Sequence, residues 1–167
     1  SGCFDASAVT LGPVQSSVPA MKSPQLVPTL ARLIQHAESL TERTDGISHL
    51  LSILPAGDAW PESAGSEAAR AALKRRGKKA DTLAKSPLTL ELPGGCLSVW
   101  LRLDPARDTH AWQTSLRQAL KPLLDEHPRR IDIALYGDEA FRRRAAEVAS
   151  HVAWINAAAL PSWKSEA

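Results

Sequence analysis

Residues 88–103, LTLELPGGCLSVWLRL, carry the clearest strand-turn-strand pattern in the chain. Apolar and polar side chains alternate on both sides of Pro93-Gly94-Gly95, a pattern typical of two antiparallel strands joined by a tight turn. The second strand places four apolar residues on one face: Leu97, Val99, Leu101 and Leu103. The stretch therefore predicts a β-hairpin that packs one face against a core.

Helices are predicted on both sides of this hairpin. The helix before it opens at Ser66 and ends near Gly77, which suits a C-cap because glycine adopts positive φ freely. The helix after it runs from about Asp108 to His127 and contains Pro122, which should bend it. Its apolar stripe consists of Trp112, Leu116, Ala119, Leu120, Leu123 and Leu124. We interpret the acidic residues and the histidine at its start as ordinary cap residues: Asp104, Asp108 and His110.

Two further apolar stretches predict strands. ISHLLSIL, residues 47–54, is apolar on both faces at its centre and belongs inside a sheet. Residues 131–136 form a shorter strand, and residues 125–127 before it are interpreted as a solvated helix end. The last helix begins near Asp138, and its buried stripe consists of Phe141, Ala145, Val148, Ala149, Val152 and Ile155. The face expected to meet water carries Arg142, Arg143, Arg144 and Glu147.

The amino-terminal part of the chain carries different signals. Residues 1–23 are rich in serine, proline and small side chains, and we expect an irregular segment or an edge strand there. Pro24 suits the first turn of a helix. Helical spacing follows at Leu26, Leu30, Leu33, Ile34 and Ala37. We therefore expect a single domain over residues 24–160, with residues 161–167 beginning a linker.

The order of the predicted elements is helix, strand, helix, hairpin, helix, strand, helix. Parallel strands need crossover connections, and helices in those connections cover the sheet. We therefore predict an α/β fold of three layers, in which a mixed sheet carries helices on both faces.

Composition narrows the class of protein. Of the 167 residues 44% are hydrophobic, which excludes a disordered chain. The formal net charge is only +2, so there is no basic excess to indicate a nucleic-acid partner. No apolar run approaches the ~20 residues that span a bilayer, so no membrane partner is expected. Cys3 and Cys96 follow no disulfide-framework or zinc spacing. We interpret them as two reduced thiols of a cytoplasmic protein, and one disulfide between them is the alternative.

Sequence motifs of catalysis are missing from the chain. The five histidines are scattered and show no metal-ligand spacing. There is also no nucleophile elbow, no phosphate-binding P-loop and no dinucleotide fingerprint. Because none of these motifs occurs, the sequence predicts no reactive centre.

Three phrases in succession carry a family resemblance. They are ALKRRGKKADT (72–82), SLRQALKPLL (115–124) and LPSWKS (160–165). In this order the chain resembles the N-terminal domain of the leucyl aminopeptidase family, especially its bacterial leucyl aminopeptidase-like branch. The resemblance covers residues 47–165.

The resemblance implies a macro-domain-like topology and a two-domain parent, a metal-dependent peptidase. The catalytic domain of such a hydrolase binds two divalent metals, zinc or manganese, and its signature does not occur in these 167 residues. No catalytic or metal-binding residue is therefore assigned to this chain. The expected function is that of a non-catalytic domain that contributes to oligomer assembly and substrate access, with its own catalytic domain and further copies of the protein as partners.

Two other functions stay open. A basic run at the end of the second predicted helix offers cations to phosphates, and some relatives in the family bind DNA: Lys74, Arg75, Arg76, Lys78 and Lys79. Cations at a helix C-terminus are also stabilised by the helix dipole, so a solvated face is the simpler interpretation. A macro-like nucleotide-binding domain is the other alternative, with Gly94-Gly95 as its one pair of adjacent glycines. Trp60 and Trp163 are candidate interface anchors, or else ordinary packing residues.

Overall fold

A computed structural model describes residues 6–13, 31–36 and 44–157 of the protein. Its strands are β1 (Ala6–Pro13), β2 (Ala31–His36), β3 (His49–Pro55), β4 (Leu88–Leu92), β5 (Cys96–Leu103) and β6 (Ile131–Tyr136). Its helices are α1 (Ser66–Arg75), α2 (Thr109–Leu124) and α3 (Glu139–Ala157), and a 3₁₀-helix covers Ala80–Ala84.

The strands of the described residues form one sheet in the order β2-β1-β6-β3-β5-β4. At its centre β3 runs parallel to both β5 and β6. The outer pairs are antiparallel: β1 with β2, β1 with β6, and β4 with β5. The prediction of an α/β fold with a mixed sheet is therefore confirmed.

Two hydrophobic cores lie on opposite faces of this sheet. The first unites α2 and α3 with alternate strand residues such as Leu51, Val99 and Ile133. The second unites α1 and the 3₁₀-helix with the strand residues that point to the opposite face, such as Leu50 and Trp100. The central strands are buried on both faces because each core uses one of the two side-chain directions of a strand.

The ends of the helices follow the sequence signals. The N–H of Lys78 donates to the carbonyl of Leu73 over 2.9 Å, and the N–H of Gly77 donates to the carbonyl of Lys74 over 3.1 Å. Gly77 has a φ of 62°, so this pair of bonds is a Schellman motif and confirms the predicted C-cap of α1. Asp108 caps α2 by accepting the N–H of Ala111 over 2.8 Å, which confirms the cap interpretation for this residue. Asp104 accepts the N–H of Ala106 in the turn before the helix, and His110 lies within α2.

The first two strands differ from the prediction. β1 pairs with β2 on one side and with β6 on the other, so it lies inside the sheet and the expectation of an edge strand is wrong. The predicted helix after Pro24 is also wrong where the structure describes it, because residues 31–36 form β2. Pairing along β1 outweighs the helical spacing of the apolar residues. The rest of the predicted helix lies outside the described residues.

Helix α3 shows two smaller corrections. Ile155 was expected in the buried stripe, but it is 48% exposed at the last turn of the helix. Arg144 was expected to face water, but its guanidinium lies 3.9 Å from the centre of the Trp112 ring and donates to the carbonyls of Pro105 and Arg107. A cation on an indole face is attracted by the ring electrons, so this arginine joins α3 to α2.

Candidate functional site

Polar side chains are buried on the face of the sheet that carries α1. In one row across the strands, Thr10 of β1 lies opposite Asp132 of β6, which lies opposite Leu50 of β3, which lies opposite Ser98 of β5. Thr10, Asp132 and Ser98 are all buried. Burying polar groups costs free energy unless they are hydrogen-bonded, so this polar face is the candidate functional site.

Arg102 is the most deeply buried charge in this set, with 1% of its surface exposed. It stands near the carboxyl end of β5, where Nη1 donates to the carbonyl of Pro55 and Nη2 to the carbonyl of Ala59, each over 2.8 Å. Burial lowers the pKa of this guanidinium, and the charges of Asp81 and Asp58 oppose that shift. Arg102 therefore fixes the loop between β3 and α1.

The indole of Trp60 packs into the same arrangement. Its ring centre lies 5.7 Å from that of the buried Trp100, and the Arg102 guanidinium lies 5.0 Å from it. Trp60 is thus half-buried and in contact with two side chains of β5. Trp163, the other candidate anchor, lies outside the described residues.

Asp132 joins β6 to β1. Its Oδ1 atom accepts a hydrogen bond from the Thr10 hydroxyl over 2.5 Å and from Nη2 of Arg130 over 2.7 Å. The three groups form a compact charge-assisted cluster. The bond from Thr10 to Oδ1 joins two strands, which is a structural role, while Oδ2 is buried and has no hydrogen-bond partner among the described residues.

Among the described residues, five buried donors on this face have no hydrogen-bond partner. They are the hydroxyls of Ser52, Ser98 and Tyr136, the indole Nε1 of Trp100 and Nε of Arg102. Burial raises the pKa of Tyr136, and the nearby Ser63 opposes that shift in part. The face therefore presents hydrogen-bond donors toward the α1 layer.

Cys96 is a free, buried thiol on this face. Burial raises its pKa from 9.0 to about 11, and the charge of Asp132 adds to the shift. The thiol is therefore protonated at neutral pH and a poor nucleophile. Cys3 lies outside the described residues, so its redox state stays a prediction.

We expect Cys96 to react with a chromogenic disulfide reagent roughly 100-fold more slowly in the folded protein than in denaturant, because a pKa two units higher leaves that much less thiolate. A Cys3→Ser variant isolates the signal. A folded pKa above the unfolded one also means that this group's stabilisation is lost as pH rises, so the free energy of unfolding should fall between pH 9 and pH 11. Equally fast labelling of folded and denatured protein would contradict the assignment.

The basic run is exposed along its length. Lys74 and Arg75 form the last turn of α1, and the rest lies between that helix and the 3₁₀-helix. Among the described residues none of its five cations has an ion pair. The run is therefore a solvated cationic surface that is free to meet an anion.

One acidic residue takes a different role from the predicted one. Residues 125–127 were interpreted as a solvated helix end, but Glu126 contacts His49 of β3 with 2.7 Å between Oε2 and Nε2. The two residues are 77 positions apart, so no local pattern in the sequence announces this contact.

Residues 6–13, 31–36 and 44–157 contain no group of three or more histidine, cysteine, aspartate or glutamate side chains placed to hold a metal ion. None of the helices described there is long and apolar enough to cross a bilayer.

No protein-family model, curated protein or solved structure matches the chain.

Proposed function

We propose that this chain is the non-catalytic N-terminal domain of a leucyl aminopeptidase-like, two-metal peptidase, with a macro-domain-like topology. In this role it contributes to oligomer assembly and to substrate access in a cytoplasmic enzyme. The two metals, zinc or manganese, would belong to the catalytic domain of the parent.

The observation that carries the proposal is an apolar pair at the end of α3. Trp154 is 44% exposed and Ile155 is 48% exposed, although Val152 and Ala153 just before them are buried. Adjacent large apolar side chains on a surface mark a place for another protein surface, and tryptophan is enriched in the centres of interfaces. This pair directly precedes the segment that we expect to lead to the catalytic domain.

The charged residues with hydrogen-bond partners support the same role. Buried Arg102 holds a loop, buried Asp132 joins two strands and exposed Asp108 caps a helix. A scaffold of this kind suits a domain that positions a neighbouring catalytic module.

The proposal is tested first with the 167-residue chain. Mixed with leucine p-nitroanilide and added manganese or zinc, it should release no more p-nitroaniline than the metal alone. The product of the reading frame that continues beyond Ala167 should hydrolyse the same substrate. Turnover by the short chain, or an inactive longer product, would contradict the proposal.

The apolar pair is tested in that longer product. A Trp154→Ser, Ile155→Ser double variant should weaken oligomer assembly, which light scattering measures as a lower molar mass. Ile34→Ser is the matched control, because Ile34 is an exposed isoleucine at 37% on β2. An unchanged mass for the double variant would exclude this surface from the assembly.

Phosphate or nucleic-acid binding is the second candidate function, and the exposed basic run favours it. We expect any binding of labelled DNA, followed by fluorescence anisotropy, to weaken steeply with salt because cations release counterions from phosphate. Lys74→Glu with Arg75→Glu should abolish it, while Arg117→Glu on the exposed side of α2 should have a smaller effect. Absence of binding at low salt would remove this candidate.

A macro-like nucleotide site is less well supported. Gly94 and Gly95 both have positive φ, and the N–H of Gly95 donates to the carbonyl of Leu92, so the pair makes the β4–β5 turn. That turn precedes β5 and lies at the amino edge of the parallel strands, whereas open α/β sheets bind ligands at the carboxyl edge. Calorimetry with ADP-ribose tests this alternative.

A further inference from the structure

A serine, a histidine and a glutamate form a hydrogen-bonded chain at the amino edge of the parallel strands. The hydroxyl Oγ of Ser48 lies 2.8 Å from Nδ1 of His49. The other ring nitrogen, Nε2, lies 2.7 Å from Oε2 of Glu126. This order of contacts, hydroxyl to imidazole to carboxylate, is the order found in nucleophilic triads.

Backbone hydrogen bonds position the three residues. His49 is the first residue of β3, and the carbonyl of Ser48 accepts the N–H of Leu97 over 2.8 Å, so the strand pairing fixes the backbone of both. Glu126 lies in the turn after α2, where the N–H of His127 donates to the carbonyl of Leu124 over 3.0 Å. The contact therefore connects the start of a central strand to an exposed helix end.

The three side chains differ in their exposure to solvent. The His49 side chain is only 13% exposed, while that of Glu126 is 55% exposed. Ser48 is exposed. The imidazole is thus shielded between its two partners, and the hydroxyl is open to a reactant from solution.

The hydrogen bonds define one tautomer of His49. A carboxylate only accepts hydrogen bonds, so Nε2 carries the proton and donates it to Glu126. In the neutral ring Nδ1 then has a lone pair that accepts the hydroxyl proton of Ser48. The ring is oriented as a general base for this serine.

We propose that Ser48 is the nucleophile of an acyl-transfer site for activated carboxylic esters, such as aryl esters. Ser48 Oγ bonds to the ester carbonyl carbon while its proton passes to Nδ1 of His49. Glu126 stabilises the imidazolium that forms. Collapse of the tetrahedral intermediate breaks the bond to the leaving phenolate, which takes up the proton from Nδ1.

The second half of the reaction restores the serine. Water attacks the acyl-serine carbonyl and gives a proton to Nδ1, and that proton returns to Ser48 Oγ as the carboxylic acid leaves. Activated esters are the fitting class because a good leaving group needs little help from the protein. This site uses no metal and takes no part in peptide hydrolysis, so it would add a separate esterase activity to a domain that is non-catalytic only with respect to the peptidase reaction.

The test uses p-nitrophenyl acetate with the intact 167-residue chain. We expect p-nitrophenol release above the buffer rate and an acetyl group on Ser48, located by peptide mass spectrometry. Ser48→Ala should abolish both. Glu126→Gln should slow acetylation by about 10-fold or more, and His49→Gln by about 100-fold, as for loss of a general base.

Matched controls separate this reaction from ordinary surface chemistry. Ser86→Ala removes another exposed serine, and Glu147→Gln removes another exposed glutamate, so both should react as the unmodified chain does. Thermal unfolding of each variant shows that it is folded. Acetylation of Ser48 no faster than of Ser86, or a rate unchanged in folded His49→Gln, would overturn the proposal. Release that persists in Ser48→Ala would identify His49 itself as the reacting group and would also overturn it.

Discussion

Replacing Arg102 with alanine should lower the free energy of unfolding by about 3 kcal/mol or more. The guanidinium is almost fully buried and donates to the carbonyls of Pro55 and Ala59. Its loss leaves both acceptors without a partner, at about 1–3 kcal/mol for each buried group, and removes the cation from the ring of Trp60. Urea unfolding followed by far-UV circular dichroism measures the change.

Two variants sharpen this expectation. Arg102→Lys keeps the charge but lacks the planar fork that reaches two carbonyls at once, so its stability should fall between those of the parent and the alanine variant. Arg117→Ala removes an exposed arginine from α2 and should change the free energy by only about 0.5 kcal/mol. An Arg102→Ala protein as stable as Arg117→Ala would show that the loop does not depend on this residue.

Replacing Trp112 with alanine should be the most damaging change in the helical layer, at about 3–5 kcal/mol. Trp112 is 1% exposed, and its ring meets Phe141 of α3 edge-on with 5.4 Å between the centres. Its Nε1 donates to the carbonyl of Asp104 over 2.8 Å, and Arg144 lies on its face. One side chain therefore connects α2, α3 and the loop that follows β5.

The contributions of Trp112 are separable by substitution. Trp112→Phe keeps most of the packing and removes the indole donor from the Asp104 carbonyl, which still accepts the N–H of Arg107 over 3.0 Å. We therefore expect a loss of only about 1 kcal/mol. Trp154→Ala in the isolated chain changes an exposed tryptophan and should cost less than about 1 kcal/mol. A small effect of Trp112→Ala would mean that α2 and α3 are held together by the aliphatic residues alone.

Local patterns in the sequence predict the part of the fold from residue 47 onward. The hairpin of β4 and β5 has both strict alternation and a Pro-Gly-Gly turn, and α1 has a glycine that closes its Schellman motif. These signals act over a few residues, so they need no knowledge of distant contacts. Where two such signals agree, the structure agrees as well.

The error at β2 has a physical cause. Leu33 and Ile34 are compatible with a helix stripe, but they lie opposite Leu11 and Thr10 in the antiparallel pair with β1. Short apolar segments fit either period, and the partner strand decides between them. Ile155 is a different error, since its spacing places it on the buried face of α3 but its side chain is 48% exposed.

Local sequence patterns do not predict the buried polar face or the Ser48-His49-Glu126 triad, because both depend on contacts between residues that are distant in the sequence. Alternation in β5 identifies the side that packs on α2, but it does not show that the opposite side, with Ser98 and Arg102, is buried too. The contact of His49 with Glu126 joins positions 77 residues apart. Such contacts follow from the strand order, which a single sequence does not display.

The placement of β1 has a consequence for biosynthesis. The bond between Thr10 and Asp132 spans 122 positions, so strand β1 leaves the ribosome long before β6 exists. At about 5–20 residues per second, the delay is roughly 6–24 s. During that time β1 pairs with β2, and β3, β4 and β5 pair with one another. The edges of β1 and β3 that await β6 offer unpaired backbone to chaperones or to neighbouring nascent chains.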